Sequence, residues 1–237
     1  MSKMSSINEI KLTELLCADQ FESNLKKYKY SDLPTFDYIL REIPCKQGIA
    51  DFICFKNTVF LKQNSCQIYK LTELLGRSFI PILASLLNNN NQDIASLSTS
   101  TGYDERRINK IIKVLKVEKI IKQNISNQYS LYAKWRKFDV ELWAFELKLK
   151  NWKRAIYQAA QYQTFTDKVF TVFPSNKKEL LLKNIDSFKK LGIGCILQDY
   201  QNNTIEIIHH PSRKDFKHNS QYLFALTETI IMRQEAC

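Results

Sequence analysis

The chain has 237 residues, enough for one sizeable core or for a core with a small second module. Lys and Arg number 35 against 24 Asp and Glu, which gives a formal net charge of +11 and a pI near 9.3. Such an excess favours a polyanionic partner, because each phosphate that a protein neutralises releases counterions. The alternative is a basic surface that only keeps the protein soluble.

The six cysteines are scattered without a C-x-x-C pair, and the chain has three histidines. This spacing disfavours a zinc site, and cysteines inside apolar runs are typical of buried thiols in a reducing compartment. Residues 1–11 are polar and lack the hydrophobic region of a signal peptide, and no apolar run reaches membrane-spanning length. We therefore expect a cytoplasmic protein with no membrane partner, and we leave open a homodimer or a partner subunit.

In the first part of the chain, apolar residues at helical spacing predict a helix over residues 7–29. Two apolar runs at 36–43 and 49–56, separated by a turn, predict a β-hairpin. Residues 58–69 are predicted to form a third strand with a polar break, and residues 71–87 a helix.

The segment that follows has the order of a winged helix-turn-helix. A short helix begins at Asp93, a turn follows at 101–103, and a second helix runs over 104–117. Strands at 119–122 and 128–132 are joined by a polar turn. We place this module at 69–131, where it interrupts one core formed by residues 1–68 and 132–237.

The second helix of this module carries a basic stripe on the face opposite its apolar residues. A basic second helix is what major-groove docking uses, and lysines near the wing would lie beside phosphates. The candidate nucleic-acid contacts are Arg106, Arg107, Lys110, Lys113, Lys119 and Lys122. The alternative is a solvated helix in a module that binds protein.

After the module, the β pattern returns at 138–149, with a helix at 152–167 and a strand at 168–173. The chain then continues through a helix at 176–191, strands at 193–198 and 204–209, and a final helix at 220–233. This order predicts an α/β fold with helices flanking the sheet.

The candidate chemistry centres on the sequence Phe145-Glu146-Leu147-Lys148. Side chains alternate along a strand, so Glu146 and Lys148 share a face and Leu147 points into the core. A carboxylate can hold Mg²⁺ while a lysine orients a nucleophile, which is the combination that phosphodiester hydrolysis needs. An E-x-K match alone is weak, since a surface strand with an ion pair looks the same. The apolar run from Leu142 makes the charge at Glu146 conspicuous.

Asp51 is the best candidate for a second carboxylate. It follows the turn at Gly48 and precedes the apolar run Phe52-Ile53-Cys54-Phe55, which would otherwise reject a charge.

The segment from Glu146 through Tyr162 and on to Pro174 resembles a branch of the PD-(D/E)XK nuclease superfamily. In that branch, E-x-K precedes a helix that contains Trp and Ala, with Gln and Tyr four residues apart. The resemblance extends to Gly48-Ile49-Ala50-Asp51-Phe52, spans most of 10–68 and 132–210, and is most specific over 142–174.

This resemblance implies a restriction-endonuclease-like core, in which helices flank a central mixed β-sheet, here with a winged-helix insert. It also implies that Asp51 and Glu146 bind the metal and that Lys148 is the catalytic lysine. Gln158 and Tyr162 match an element that lines the site, although Tyr162 would equally suit core packing. A further acidic residue is expected on the first helix: Glu22 fits best by distance from the hairpin, and Glu14 and Glu42 are alternatives.

The sequence thus predicts a nuclease dependent on Mg²⁺ or Mn²⁺ that hydrolyses phosphodiester bonds, with DNA as the expected substrate. The alternative is a nuclease-like DNA-binding protein with weak or no catalysis, which acts as a regulator or as a subunit of a larger DNA-processing complex.

Overall fold

The computed structural model describes residues 15–26, 33–45, 48–136, 140–212 and 220–234. In chain order its strands are β1 (Tyr38–Cys45), β2 (Gly48–Lys56), β3 (Ile121–Gln123), β4 (Tyr129–Leu131), β5 (Glu141–Leu147), β6 (Lys168–Pro174), β7 (Gly194–Asp199) and β8 (Thr204–His209). Its helices are α1 (15–26), α2 (Val59–Leu75), α3 (Ile80–Asn88), α4 (Ile94–Thr101), α5 (Glu105–Val117), α6 (Trp152–Tyr162), α7 (Lys178–Lys183), α8 (Ile185–Leu191) and α9 (Ser220–Gln234).

The chain divides into two compact units. The first comprises Met1–Ile43, Gln47–Lys56 and Glu141–Lys214, and the second comprises Pro44–Lys46, Asn57–Val140 and Asp215–Cys237. The predicted module at 69–131 lies within the second unit, which also takes in α2 from its start and the C-terminal helix α9.

The first unit is built on a mixed six-stranded sheet with the order β1-β2-β5-β6-β7-β8. The three central strands β5, β6 and β7 run parallel to one another. On either side of them, β2 runs antiparallel to β5 and β8 runs antiparallel to β7. The parallel strands require crossover connections, which α6 and the pair α7 and α8 supply. The predicted α/β class, with a mixed sheet flanked by helices, is confirmed.

One face of this sheet carries the aromatic core. Phe52 on β2 and Phe145 on β5 are paired in register, and both contact the ring of Phe21 on α1 edge to face. Phe170 on β6 stacks on Phe145 with ring centroids 5.4 Å apart. Because side chains alternate along a strand, the residues next to this pair, Asp51 and Glu146, face the opposite side.

That opposite side is covered by α6. Its N-cap is Asn151, whose side chain accepts a hydrogen bond from Arg154 N and whose φ of 56° lies in the left-handed region that Asn tolerates. The helix turns Ala155, Ala159 and Tyr162 inward at helical spacing. Two alanines let the helix approach the sheet, and the tyrosine at the end of the helix reaches the strand edge.

The second unit contains α2 to α5, the hairpin β3–β4 and α9. Between α4 and α5, Gly102 adopts a left-handed φ of 71° that ends the first of these helices. The buried residues of α5 are Ile108, Ile111, Ile112 and Leu115, as predicted for its apolar face. The bidentate pair between Arg77 and Glu228 connects the segment after α2 to α9.

The predicted strand over residues 58–69 is wrong, because this segment is the first part of α2. Its buried residues include Phe60, Leu61, Asn64 and Ile68, which is the spacing of one helix face. Asn64, taken as a polar break, instead donates its side-chain amide to Phe60 O one turn earlier and is buried. β-branched and aromatic residues suggested a strand, and burial of one helical face outweighed that propensity.

The helix predicted over 71–87 is two helices, because Gly76 breaks it. Gly76 has a φ of 59° and closes α2 with a hydrogen bond from its N–H to Thr72 O. Within the described ranges, none of the helices is both long and apolar enough to cross a membrane.

The N-cap of α5 offers a test of local stability. The Asp104 side chain accepts a hydrogen bond of 2.8 Å from Arg107 N, so Asp104→Ala should lower the free energy of unfolding by about 1 kcal/mol. Urea denaturation followed by circular dichroism measures this change. Asp186→Ala, at a side chain that is 96% exposed, is the control, and an equal loss in both variants would contradict the capping role.

Candidate active site

The candidate site begins at the end of the β2–β5 ladder. The last pair in register is Phe52↔Phe145, and one further step along the same register sets Asp51 opposite Glu146. Asp51 Oδ2 accepts a hydrogen bond of 2.7 Å from Leu147 N, which anchors its carboxylate beside β5. Two carboxylates distant in sequence therefore meet at one end of adjacent strands.

Glu146 is buried, with a side chain that is 1% exposed. Its Oε2 lies 2.8 Å from the hydroxyl of Tyr162, which also lies 2.8 Å from Ile49 O. A phenol carries one proton, so the two acceptors share a single donor. Tyr162 thus connects α6 to both β2 and the carboxylate, and it is at once a core residue and a site residue.

Lys148 supplies the positive charge. Its Nζ lies 2.7 Å from Glu146 Oε1, while the side chain stays 25% exposed. This contact is outside hydrogen-bond geometry, and Oε1 has no hydrogen-bond partner among the described residues. The charge of the buried carboxylate is therefore balanced by the Lys148 ammonium, and its oxygens are of the kind that bind hard cations.

A cavity of about 350 Å³ opens beside this group, and Asp51 and Lys148 line it. The cavity also touches residues that follow β5 and β7, namely Leu149 and Tyr200. In open α/β sheets ligands bind beyond the carboxyl ends of parallel strands, which is where these residues lie.

The acidic residue expected on the first helix can now be compared with its alternatives. Glu22 on α1 forms ion pairs with Lys26 and Arg41. Glu42 on β1 lines the cavity together with Asp51. Glu14 lies outside the described residues. Glu42 is therefore the acidic alternative that shares a cavity with the central group.

Glu42 also has an unusual backbone. Its φ of 51° is in the left-handed region, inside strand β1, where a non-glycine residue is strained. The neighbouring Arg41 contacts Asp19 at 2.6 Å and Glu22, both on α1. These contacts fix the strand next to the strained residue, so Glu42 is presented to the cavity by its surroundings.

Gln158 lies one helical turn before Tyr162 on α6 and is partly buried. Its Oε1 is buried with no hydrogen-bond partner among the described residues. The structure therefore places Gln158 one turn before Tyr162 on the same side of α6.

The sequence did not point to Arg41 or Tyr200, which both line the cavity. Burial raises the pKa of the Tyr200 hydroxyl well above its usual range, and a hydrogen bond to Cys17 adds to the shift. Tyr200 had a detectable signal, because it directly follows a buried strand that parallels β5. Arg41 had no such signal in the sequence, because an Arg in a predicted strand does not indicate that two acidic residues of a helix will pair with it.

The donor set fits a hard divalent cation. Mg²⁺ and Mn²⁺ prefer carboxylate oxygens, and Asp51 and Glu146 provide them side by side. Within the described ranges, no cluster of three or more His, Cys, Asp or Glu side chains is placed to hold a metal ion.

The basic residues predicted to contact nucleic acid lie in the other unit and are exposed. Arg106, Lys110 and Lys113 project from α5 opposite its buried face, and Arg107 stacks on the ring of Tyr103 at 3.9 Å. Lys119 and Lys122, at the end of α5 and on β3, are also exposed.

Comparisons with known proteins add no relative: no family model, curated protein or solved structure matches the chain. The resemblance to PD-(D/E)XK nucleases therefore stays a prediction from the motif residues.

The strained conformation of Glu42 predicts an unusual response to mutation. Glycine adopts this φ without strain. Glu42→Gly should therefore change the free energy of unfolding by between zero and about +1 kcal/mol. Thermal denaturation compares it with Glu42→Ala, which keeps the strain. A clear loss of stability on Glu42→Gly alone would contradict the strain.

The pairs around Glu22 predict acid sensitivity. Burial raises the pKa of Glu22, but the hydrogen bonds and charges of Lys26 and Arg41 outweigh it, so its pKa lies below the ordinary 4.5. A carboxyl with a depressed pKa contributes stability above its unfolded value and loses it as pH falls through the folded value. Glu22→Gln should therefore lower stability at neutral pH and flatten its decline below about pH 4.5.

Urea denaturation from pH 7 to pH 3 measures this dependence. Glu105→Gln, at an exposed position on α5, serves as the control. Identical pH profiles for the wild type and Glu22→Gln would exclude a stabilising role for these pairs.

Proposed function

We propose that this protein is a nuclease dependent on Mg²⁺ or Mn²⁺ that hydrolyses phosphodiester bonds in DNA. One observation carries the proposal: the β2–β5 register sets Asp51 beside Glu146, and Lys148 Nζ lies 2.7 Å from Glu146. Acid, acid and lysine side chains at one strand end are the groups that this hydrolysis needs.

Asp51 and Glu146 would hold the metal ion. When bound, such an ion polarises a phosphoryl oxygen and lowers the pKa of bound water. Leu147 N fixes the Asp51 carboxylate, and Tyr162 fixes that of Glu146, so neither needs to reorganise on binding. Lys148, the more exposed member, would orient the attacking water or neutralise charge on the phosphate.

The cavity next to these groups supports access by a substrate. Its lining carries both charges, Lys148 and Arg41 beside Asp51 and Glu42, while Leu147 and Leu149 contribute apolar surface. Excluding water from part of the lining strengthens the electrostatic interactions there. The proposal includes a restriction-endonuclease-like core, and the position of the cavity beyond the carboxyl ends of β5 and β7 supports it.

The second unit would hold DNA. We assign α4, α5 and the hairpin β3–β4 to a winged helix-turn-helix, in which α5 is the recognition helix. Its exposed stripe of Arg106, Lys110 and Lys113 supports this role, because phosphate contacts supply most of the affinity for DNA.

A second candidate is a DNA-binding regulator or a subunit of a larger complex, with weak or no catalysis. The observation that favours it is the ion pair itself, because Lys148 already neutralises the buried Glu146 without a metal. Under this alternative, the basic stripe would retain its role and the carboxylates would be structural.

Removing the central groups should abolish cleavage. With plasmid and linear DNA in Mg²⁺ or Mn²⁺, Asp51→Asn and Lys148→Ala should each reduce the rate by about a hundredfold or more. Gel electrophoresis of the products measures the rate, and circular dichroism checks that each variant is folded.

The matched controls are Lys150→Ala, two residues beyond Lys148 and exposed, and Asp186→Asn on a side chain that is 96% exposed. Both should cleave as the wild type does. If the wild type binds DNA but cleaves none in the presence of either metal, the nuclease proposal is wrong and the DNA-binding regulator or subunit is the better interpretation. Cleavage that survives Asp51→Asn or Lys148→Ala would overturn the proposed active site.

A further inference from the structure

The turn between β3 and β4 carries an exposed isoleucine. Residues 124–127, which we name the wing tip, form the turn of this hairpin, and Ile125 at its apex is 103% exposed. A single exposed isoleucine is ordinary on a protein surface. Ile125 is nevertheless distinctive, because the other residues of the turn, Asn124, Ser126 and Asn127, are all polar.

Hydrogen bonds within the turn brace the wing tip. Asn124 N donates to Gln128 O, and Gln128 N donates to the Asn124 side chain, each at 2.9 Å. Asn127 closes the turn with a φ of 58° and donates its N–H to Asn124 O at 3.2 Å. A tip that is ordered before it binds loses less conformational entropy on binding.

The wing tip is also connected to the basic surface. Gln123 donates from its side-chain amide to Asn127 Oδ1 at 3.1 Å and accepts from Lys116 Nζ at 2.7 Å. Lys116 is on α5, so a chain of hydrogen bonds runs from the helix with the basic stripe to the tip. Exposed Lys122 on β3 adds positive charge on the same hairpin.

We propose that Ile125 is an apolar wedge that enters the minor groove of duplex DNA and partly unstacks one base step. Proteins that bend DNA insert Ile, Leu or Phe in this way, and the bend then brings more basic surface to the phosphates. The partner follows from charge complementarity, because the side chains around the wedge are lysines, which suit phosphates, and amides, which suit the minor-groove edges. The inference rests on the proposed DNA binding by this unit.

The test uses the full chain in EDTA, which prevents metal-dependent cleavage, and duplexes of about three helical turns rich in TA steps. One strand carries 2-aminopurine, whose fluorescence rises when the base is unstacked, and anisotropy measures affinity. Binding of the wild type should raise the fluorescence. Ile125→Ser should weaken binding by about tenfold and abolish the rise, because it removes the apolar side chain.

Ile125→Leu keeps an apolar wedge and should retain both signals. Leu182→Ser, at a side chain that is 48% exposed on α7, is the matched control and should bind as the wild type does. Lys110→Ala reports on phosphate contacts alone, and it should weaken binding and reduce the salt dependence while the fluorescence rise persists in the bound state.

If Ile125→Ser matches the wild type in both signals while Lys110→Ala binds more weakly, the wedge is excluded and DNA binding stands. If the wild type does not bind any duplex, the wedge and DNA binding by this unit both fall. A fluorescence rise that survives Ile125→Ser also overturns the wedge.

Discussion

The antiparallel pairing of β2 with β5 is the constraint on which the first unit depends. The ladder opens at Lys56↔Glu141, where the chain leaves β2 and returns to β5, and it closes at Phe52↔Phe145 beside the candidate site. Residues 57–140 thus replace the turn of a hairpin. A shift of the register by one residue would turn Phe52 away from the aromatic core and Asp51 into it.

Keeping Glu146 in the sheet requires compensation. A buried carboxylate costs several kcal/mol unless charges and hydrogen bonds offset that cost, and Lys148 and Tyr162 do so here. A buried ion pair by itself is weak evidence for stability, so the proposed metal site would give these residues a role beyond packing.

The proposed functions divide between the units. The carboxylates, Lys148 and the cavity belong to the first unit, while the basic stripe and the wing tip belong to the second. The sheet tolerates the insertion of residues 57–140 between the paired ends of β2 and β5, because the entropy of closing a loop rises only slowly with its length. A folded unit between paired strand ends costs the sheet little more than a long loop.

The sequence by itself determined most strands, the apolar face of α5 and the shared face of Glu146 and Lys148, because each follows from local periodicity. It failed at residues 58–69, where strand propensity and helical burial conflict, and only packing decides between them. The tertiary structure decided that Asp51 lies beside Glu146, that Tyr162 bonds this carboxylate, and that Glu42 rather than Glu22 lines the cavity. These contacts join residues far apart in the chain, so strand register and helix placement, which local sequence does not encode, bring them together.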